Sequence, residues 1–165
     1  SRYVLPSADE WYKAAYYDPI NDLYYDYPTG SNTSPTAARS GTAPDTAVFA
    51  TPGVTSLGPA DVTQAGGASP FSTVGQGGNV LEWEETALDL LNDSPAAARS
   101  FRGGSFSHPA TRLMSSRRGS ITGPVDPASE GPALGFRVAS IPEPNSSLFG
   151  ILGSFGMLLW RRRAL

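Results

Sequence analysis

The chain has no cysteine, a single lysine (Lys13) and a single histidine (His108) among 165 residues. The missing cysteine removes any disulfide framework and all thiol chemistry. One histidine cannot build a metal centre, which needs three or more protein ligands. Positive charge is scarce as well: 12 basic residues stand against 15 acidic ones, net -3, and without the three arginines near the end the balance is 9 against 15, net -6. An acidic body of this kind lacks the electrostatic footprint of a nucleic-acid binder, so no nucleic-acid partner is expected. Long regular elements are also few, because 18 glycines and 15 prolines break the pattern throughout; the expectation is a loop-rich domain. The chain opens Ser1-Arg2-Tyr3, with no initiator Met and no charged segment followed by an apolar one. We expect a fragment whose missing front carries a signal peptide.

The one long apolar run lies at the end. Leu148 to Trp160 (LFGILGSFGMLLW) is 13 residues without charge, or 16 when counted from Asn145, against the roughly 20 that a full helical span wants. Arg161, Arg162 and Arg163 follow it directly. Such a flank acts as a stop-transfer signal and stays in the cytoplasm, which places everything before Pro142 on the far side of a membrane. A buried core helix would set three consecutive cations against apolar surface without partners. Pro142, Glu143 and Pro144 precede the run. Each proline fixes φ, Pro144 lacks an N–H, and Glu143 is pushed extended by the proline after it, a shape that enters a protease cleft as a strand. The order of Pro-Glu-Pro, short apolar helix, basic cluster and chain end resembles the PEP-CTERM sorting signal of Gram-negative bacteria over Ile141 to Leu165. That resemblance implies a transmembrane helix over about 146–160, a basic tail at 161–163, and cleavage by an exosortase-type membrane protease. The location it implies is the inner membrane, single-pass with a cytoplasmic C-terminus, followed by release to the cell surface or extracellular matrix.

In the body, Leu5 to Tyr17 (LPSADEWYKAAYY) is the strongest helix candidate. Ser7 with Glu10 three residues on forms a capping box, and Asp18-Pro19 ends the helix. Trp11, Ala14, Ala15 and Tyr3 are expected to face a core. Ile20 to Pro70 reads as aromatic patches between turn residues, hence ordered loops. A second short helix is expected over Glu84 to Leu91, and short strands over Asn79 to Trp83, Ser100 to Phe106 and Gly135 to Ala139. Glu82, Glu84 and Glu85 read as solvated charge. Arg112, Arg117 and Arg118 read as a solvated loop face, with contact to an anionic glycan as the sharper alternative. Tyr16, Tyr17, Tyr24, Tyr25 and Tyr27 either pack the helix or stack on sugars. Gly75-Gln76-Gly77-Gly78 lacks the lysine of a phosphate loop and reads as a turn.

Five segments taken in order carry a second resemblance: Leu5-Pro6-Ser7-Ala8-Asp9-Glu10-Trp11, Tyr27-Pro28-Thr29-Gly30-Ser31-Asn32, Gly78-Asn79-Val80-Leu81-Glu82-Trp83, Arg102-Gly103-Gly104-Ser105-Phe106 and Gly135-Phe136-Arg137-Val138. Together they resemble the formylglycine-generating enzyme (sulfatase-modifying factor) family. The resemblance implies an α+β, C-type-lectin-like, loop-rich fold over residues 1–140, comprising the C-terminal half to two-thirds of such a domain, and a separate sorting segment over 141–165.

In the sulfatase-activating members a cysteine pair after the Arg-Gly-Gly-Ser-Phe motif binds copper, a use of soft thiolates. The matching positions here fall near His108 and Leu113, and Leu113 can neither ligate a metal nor carry a thiol. His108 reads as a loop residue, with a ligand contact shared with Arg112 as the alternative. The resemblance also implies calcium at Gly78, Val80 and Glu82, oxygen ligands that suit a hard cation. The asparagine expected three residues before Gly78 is replaced by Gly75. The plainer reading pairs Glu82 with an arginine such as Arg102 or Arg137 and packs Trp83 in the core. The functional expectation is an exported, membrane-tethered protein whose domain binds an extracellular polysaccharide or envelope protein without catalysis. A metal-dependent oxidase of the same superfamily, with ligands in the missing front, is the alternative, and a purely structural matrix protein the third class.

Overall fold

A computed structural model of the protein describes residues 2–54, 58–119, 126 and 128–141. The sorting residues Pro142, Glu143 and Pro144, the helix expected over 146–160 and Arg161, Arg162 and Arg163 lie outside the described residues. No helix among the described residues is long and apolar enough to cross a membrane.

Ser7 starts the only α-helix among them, α1 (Ala8–Tyr16). Its Oγ accepts the Glu10 N–H while the Glu10 carboxylate accepts the Ser7 N–H at 2.8 Å, the expected capping box. The Ser7 N–H and, next, the Ser7 hydroxyl both donate to the Glu10 carboxylate and hold its carboxyl below its usual range. The helix begins three residues after Leu5 because Ser7, as N-cap, keeps an extended backbone. Trp11, Ala15 and Tyr16 are buried, while Ala14 is half-buried. Tyr3 is 67% exposed, contrary to the core placement expected of it, because it sits on a strand separate from α1 and shares none of its faces. Tyr17 turns extended and opens β2 (Tyr17–Asp18), which pairs antiparallel with β3 (Leu23–Tyr24). Asp18 caps the turn between them by accepting from the N–H groups of Ile20 and Asn21 and from Asn21 Nδ2. Farther along, β4 (Thr36–Ala37) runs parallel to β5 (Thr46–Ala47). The rest of the expected loop region is held by turns and isolated bridges.

The central sheet is built on β6 (Leu81–Ala87), flanked by β7 (Arg99–Arg102), antiparallel, and β8 (Leu134–Gly135), parallel. Here the expected helix over Glu84 to Leu91 is overturned. In a strand, residues two apart share a face; in a helix they point to nearly opposite sides. Glu82, Glu84 and Ala87 are buried while Trp83 is half-buried and Glu85 exposed, and both inward carboxylates are paired with arginines. Trp83 packs edge-on against Phe101 on the other face, their ring centroids 5.4 Å apart.

Glu84 is 0% exposed, so the reading of this cluster as solvated holds for Glu85 alone. Arg102 Nε donates to Glu84 Oε1 at 2.6 Å and Arg118 Nε to Oε2 at 2.8 Å. Arg118 also donates to the carbonyls of Thr86, Ala87 and Leu88, and Arg102 to those of Ser115 and Arg117. Arg118 therefore leaves the solvated face expected of it: its donors satisfy the carbonyls where β6 ends, a demand invisible until that strand is placed. Two apolar clusters flank the sheet. One contains Trp11, Ala15 and Tyr16; the other, Tyr27, Ala47, Phe49 and Leu113. The buried Tyr16 hydroxyl links them by donating to the Leu113 carbonyl at 3.0 Å.

One glycine is required by its neighbours. Gly78 has φ +78°, its N–H donates to the Gly103 carbonyl at 2.7 Å, and a Cβ there would penetrate the Val48 carbonyl. Residues Leu5–Ala139 make one compact unit containing all of these elements. In a second unit β1 (Arg2–Val4) pairs with β9 (Ala139–Ile141).

Two substitutions test this account. Glu84→Leu strands two arginines without their carboxylate and is expected to cost about 3–5 kcal/mol in urea unfolding, with Glu84→Gln costing less. Gly78→Ala combines a left-handed backbone with a backbone clash and is expected to cost at least about 2 kcal/mol, read as a lowered urea midpoint.

Candidate functional site

Glu82 lies two residues before Glu84 on the same face of β6 and is engaged on both oxygens. Arg137 donates Nε to Oε2 and Nη2 to Oε1, each at 2.6 Å, a bidentate fork. Trp11 Nε1 donates to Oε2 at 2.7 Å. Arg137 thus fills the role expected for it, and Arg102 goes to Glu84 instead. The core tryptophan is Trp11 rather than Trp83, because Trp83 falls on the opposite face of β6.

Above this pair opens a cavity of about 370 Å³. Its walls are Val62, Ala65, Val74, Val80 and Phe136, with Glu82 and Arg137 among its lining. Two glycines keep it open. A Cβ on Gly135 would sit 2.9 Å from Val80 Cγ2, and one on Gly75, where φ is +70°, 3.1 Å from the Ala65 Cβ. Asn79 also lines it, but its amide is spent on the Ala60 backbone, Oδ1 accepting from the N–H at 2.7 Å and Nδ2 donating to the carbonyl. Val62 and Phe136, 76% and 67% exposed, are both among the lining. Sequence reading missed Val62, Val74 and Phe136 as site residues. Phe136 carried a signal, an aromatic beside an ion-pairing arginine in the Gly-Phe-Arg-Val segment; Val62 and Val74 carried none, since only the folded loops bring them to the sheet.

Calcium, implied at Gly78, Val80 and Glu82, does not fit this donor set. The Glu82 carboxylate is saturated by Arg137 and Trp11, so a cation there would face a guanidinium. Among the described residues no group of three or more acidic or histidine side chains could hold a metal.

The turn after β7 is the second candidate. Gly103 and Gly104 adopt φ of +89° and +71°, which brings Ser105 inward, fully buried. Ser105 Oγ and His108 Nδ1 share a hydrogen bond of 3.0 Å. His108 is half-buried and leads into a 3₁₀ turn over Ala110–Arg112. Burial, and secondly the nearby Arg112 charge, push the His108 pKa below its ordinary value. His108 and Arg112, expected as a shared contact, are therefore neighbours electrostatically. Leu113, 0% exposed, packs with Tyr27, Ala47 and Phe49. The pair of positions at which copper would need thiolates thus holds an imidazole bonded to a serine and a core leucine, which does not fit that metal.

The packing reading of the tyrosines holds for two of the five. Tyr16 and Tyr27 are buried, and burial raises the Tyr16 phenol far above its ordinary range. Tyr12, Tyr24, Tyr17 and Phe71 continue outward as a chain of ring contacts, with centroids 4.9 to 6.0 Å apart.

A pH dependence follows from His108. Its folded pKa lies below the unfolded value, so as pH falls through about 6.5 the unfolded chain takes up the proton first and stability drops. Arg112→Ala is expected to raise the His108 pKa partway back, read by NMR titration of the imidazole, and to shrink that acid-side loss of stability.

A search of the curated proteins gives no match. Among solved structures, the crystal structure of CarF superposes with a TM-score of 0.55 at 20% identity, covering 82% of this chain and 46% of that one. Variable protein 1 of Treponema denticola does so with a TM-score of 0.55 at 19% identity, covering 85% and 48%. The chain spans about half the length of these structures, and at such identities the likeness is one of fold. The family model for the sulfatase-modifying factor enzyme 1-like domain matches residues 1–141. With five motifs in order, a mixed helix and strand fold rich in loops, and that match over most of its length, the chain belongs to the sulfatase-modifying factor enzyme 1-like (formylglycine-generating enzyme) family.

Proposed function

We propose that this is an exported, membrane-tethered protein, sorted at Pro142-Glu143-Pro144 by an exosortase-type protease, whose sulfatase-modifying-factor-like domain binds rather than catalyses. The observation that supports the non-catalytic reading is Leu113. Where family chemistry needs a second soft ligand, a fully buried aliphatic side chain forms part of an apolar core cluster. A thiol position converted into core cannot open to oxygen or a peptide without losing that packing. Support for sorting comes from the sequence alone, from the order of Pro142-Glu143-Pro144, the apolar run and Arg161 to Arg163. The partners of this reading are membrane lipid through the C-terminal helix and, for the domain, an extracellular polysaccharide or an envelope protein. The domain presents its ligands with a rigid, ion-paired sheet and a surface of ordered loops, the usual place for recognition.

The test is made on the native product. The mass of its C-terminus and its metal content are measured after purification from an envelope fraction, beside an assay for oxidation of a sulfatase-type cysteine peptide. A chain ending near Pro144, no stoichiometric copper or iron and no peptide oxidation are the expected results. Glu143→Ala is expected to leave the C-terminus unprocessed. Stoichiometric copper or iron with turnover would overturn the non-catalytic reading, and an intact C-terminus in a host with active exosortase would overturn the sorting.

A further inference from the structure

The cavity over Glu82 and Arg137 has a one-sided hydrogen-bonding character. Its side-chain acceptors are engaged: both Glu82 oxygens bind Arg137 or Trp11, and the Asn79 amide oxygen binds Ala60. On Arg137, Nε and Nη2 are engaged, Nη2 also reaching the Val74 carbonyl at 3.4 Å. Nη1 has no hydrogen-bond partner among the described residues. Among the side chains that line this space, apolar walls therefore stand beside one charged group with a donor to spare.

We infer that the cavity is a binding site for a small apolar molecule carrying an uncharged carbonyl oxygen, held by Arg137 Nη1 with its hydrocarbon body against Val62, Val74, Val80 and Phe136. The chemistry excludes the neighbouring classes. A cation would find no free side-chain acceptor among the described lining residues and would sit beside the Arg137 guanidinium. A ligand presenting only hydroxyls would bury donors against valine and phenylalanine with no free side-chain acceptor among the described lining, at the cost of unpaired polar groups. A carboxylate would meet a guanidinium already neutralised by Glu82 and would bring a second negative charge beside it. A carbonyl oxygen needs only the one donor, and a charged donor gives it a bond stronger than a neutral one. The volume suits a single ring or a short acyl chain, near the low end of small-molecule sites. The exposed Val62 and Phe136, otherwise unfavourable in water, become useful surface when such a molecule is present. Gly75 and Gly135 gain a reason as well, since a side chain at either would press into Ala65 or Val80.

This inference rests on the reading of the domain as a binding module and is independent of the sorting, which C-terminal mass reads separately. The test uses the full chain in detergent micelles, with free probe concentration fixed by dialysis and binding followed by the valine methyl NMR signals. Four probes share one ring: acetophenone, ethylbenzene, benzoate and benzylamine. Acetophenone is expected to shift the methyls of Val62, Val74 and Val80 and to bind about tenfold more tightly than ethylbenzene, the worth of one hydrogen bond to a charged donor. Benzoate is expected to bind more weakly than acetophenone, and benzylamine not at all. Val62→Trp, a change at an exposed position lining the cavity, is expected to abolish acetophenone binding while leaving the unfolding midpoint unchanged. Equal affinity for acetophenone and ethylbenzene, tighter binding of benzoate or benzylamine, or binding that survives Val62→Trp would each overturn the proposal. Loss of these results with the processed C-terminus intact would fault the cavity alone.

Discussion

Two carboxylates face inward from one strand, and a protein interior accepts them only with their charge cancelled and their lone pairs filled. Glu82 and Glu84 recruit Arg137, Arg102 and Arg118, and those arginines come from three separate stretches of chain: the strand β7, the loop after the 3₁₀ turn, and the segment after β8. Most of the fold can be described as the means of delivering those guanidiniums. The β6–β7 register sets Arg102 beside Glu82 and Glu84, and the parallel β8 leads directly into Arg137. Trp11 adds an indole N–H from α1, which ties the helix to the same carboxylate. The apolar clusters supply the hydrophobic drive, but they are small, and their boundary is drawn by where the charged groups sit. A domain with so many turns and so few long elements has little else to fix it.

The same network separates this chain's candidate chemistry from that of its relatives. Glu82 is taken up by an internal cation, so a hard external cation has no free carboxylate to bind. Leu113 and the Ser105–His108 turn occupy the place of soft ligands. Beside the Glu82–Arg137 ion pair lies a cavity whose walls are apolar, four aliphatic side chains and Phe136. The proposed binding role rests on that arrangement.

Much of this was legible from the residues. Ser7 and Glu10 announce a helix start by a local hydrogen-bond exchange, and they form it. The Gly-Asn-Val-Leu-Glu-Trp segment enters β6, whereas the strands expected over Ser100 to Phe106 and Gly135 to Ala139 are cut short, β7 ending at Arg102 and β8 at Gly135; Arg137 was a candidate partner for Glu82. The failures share one cause. The run from Glu84 to Leu91 is rich in residues that favour helices, so local preference pointed to a helix, while the burial of Glu84 depends on Arg118, 34 positions away. Arg118 itself looked solvated for the same reason. Buried charge defeats a reading by hydropathy, because a carboxylate and a guanidinium each look like surface until they are paired. The cavity was hidden for a related reason: Val62, Val74 and Phe136 are far apart in sequence and become neighbours only in the folded chain.

The spacing of these pairs has a consequence for how the protein comes into being. Trp11 and Glu82 are 71 positions apart, and Glu82 and Arg137 another 55. As synthesis proceeds from the N-terminus, Glu82 waits without its guanidinium until almost the whole domain has emerged, and no shorter piece can neutralise it. Contacts this distant in sequence form only once most of the domain is present, and a fold that depends on them forms late and slowly. A protein that must be passed linearly through a narrow channel before it folds would gain from that delay.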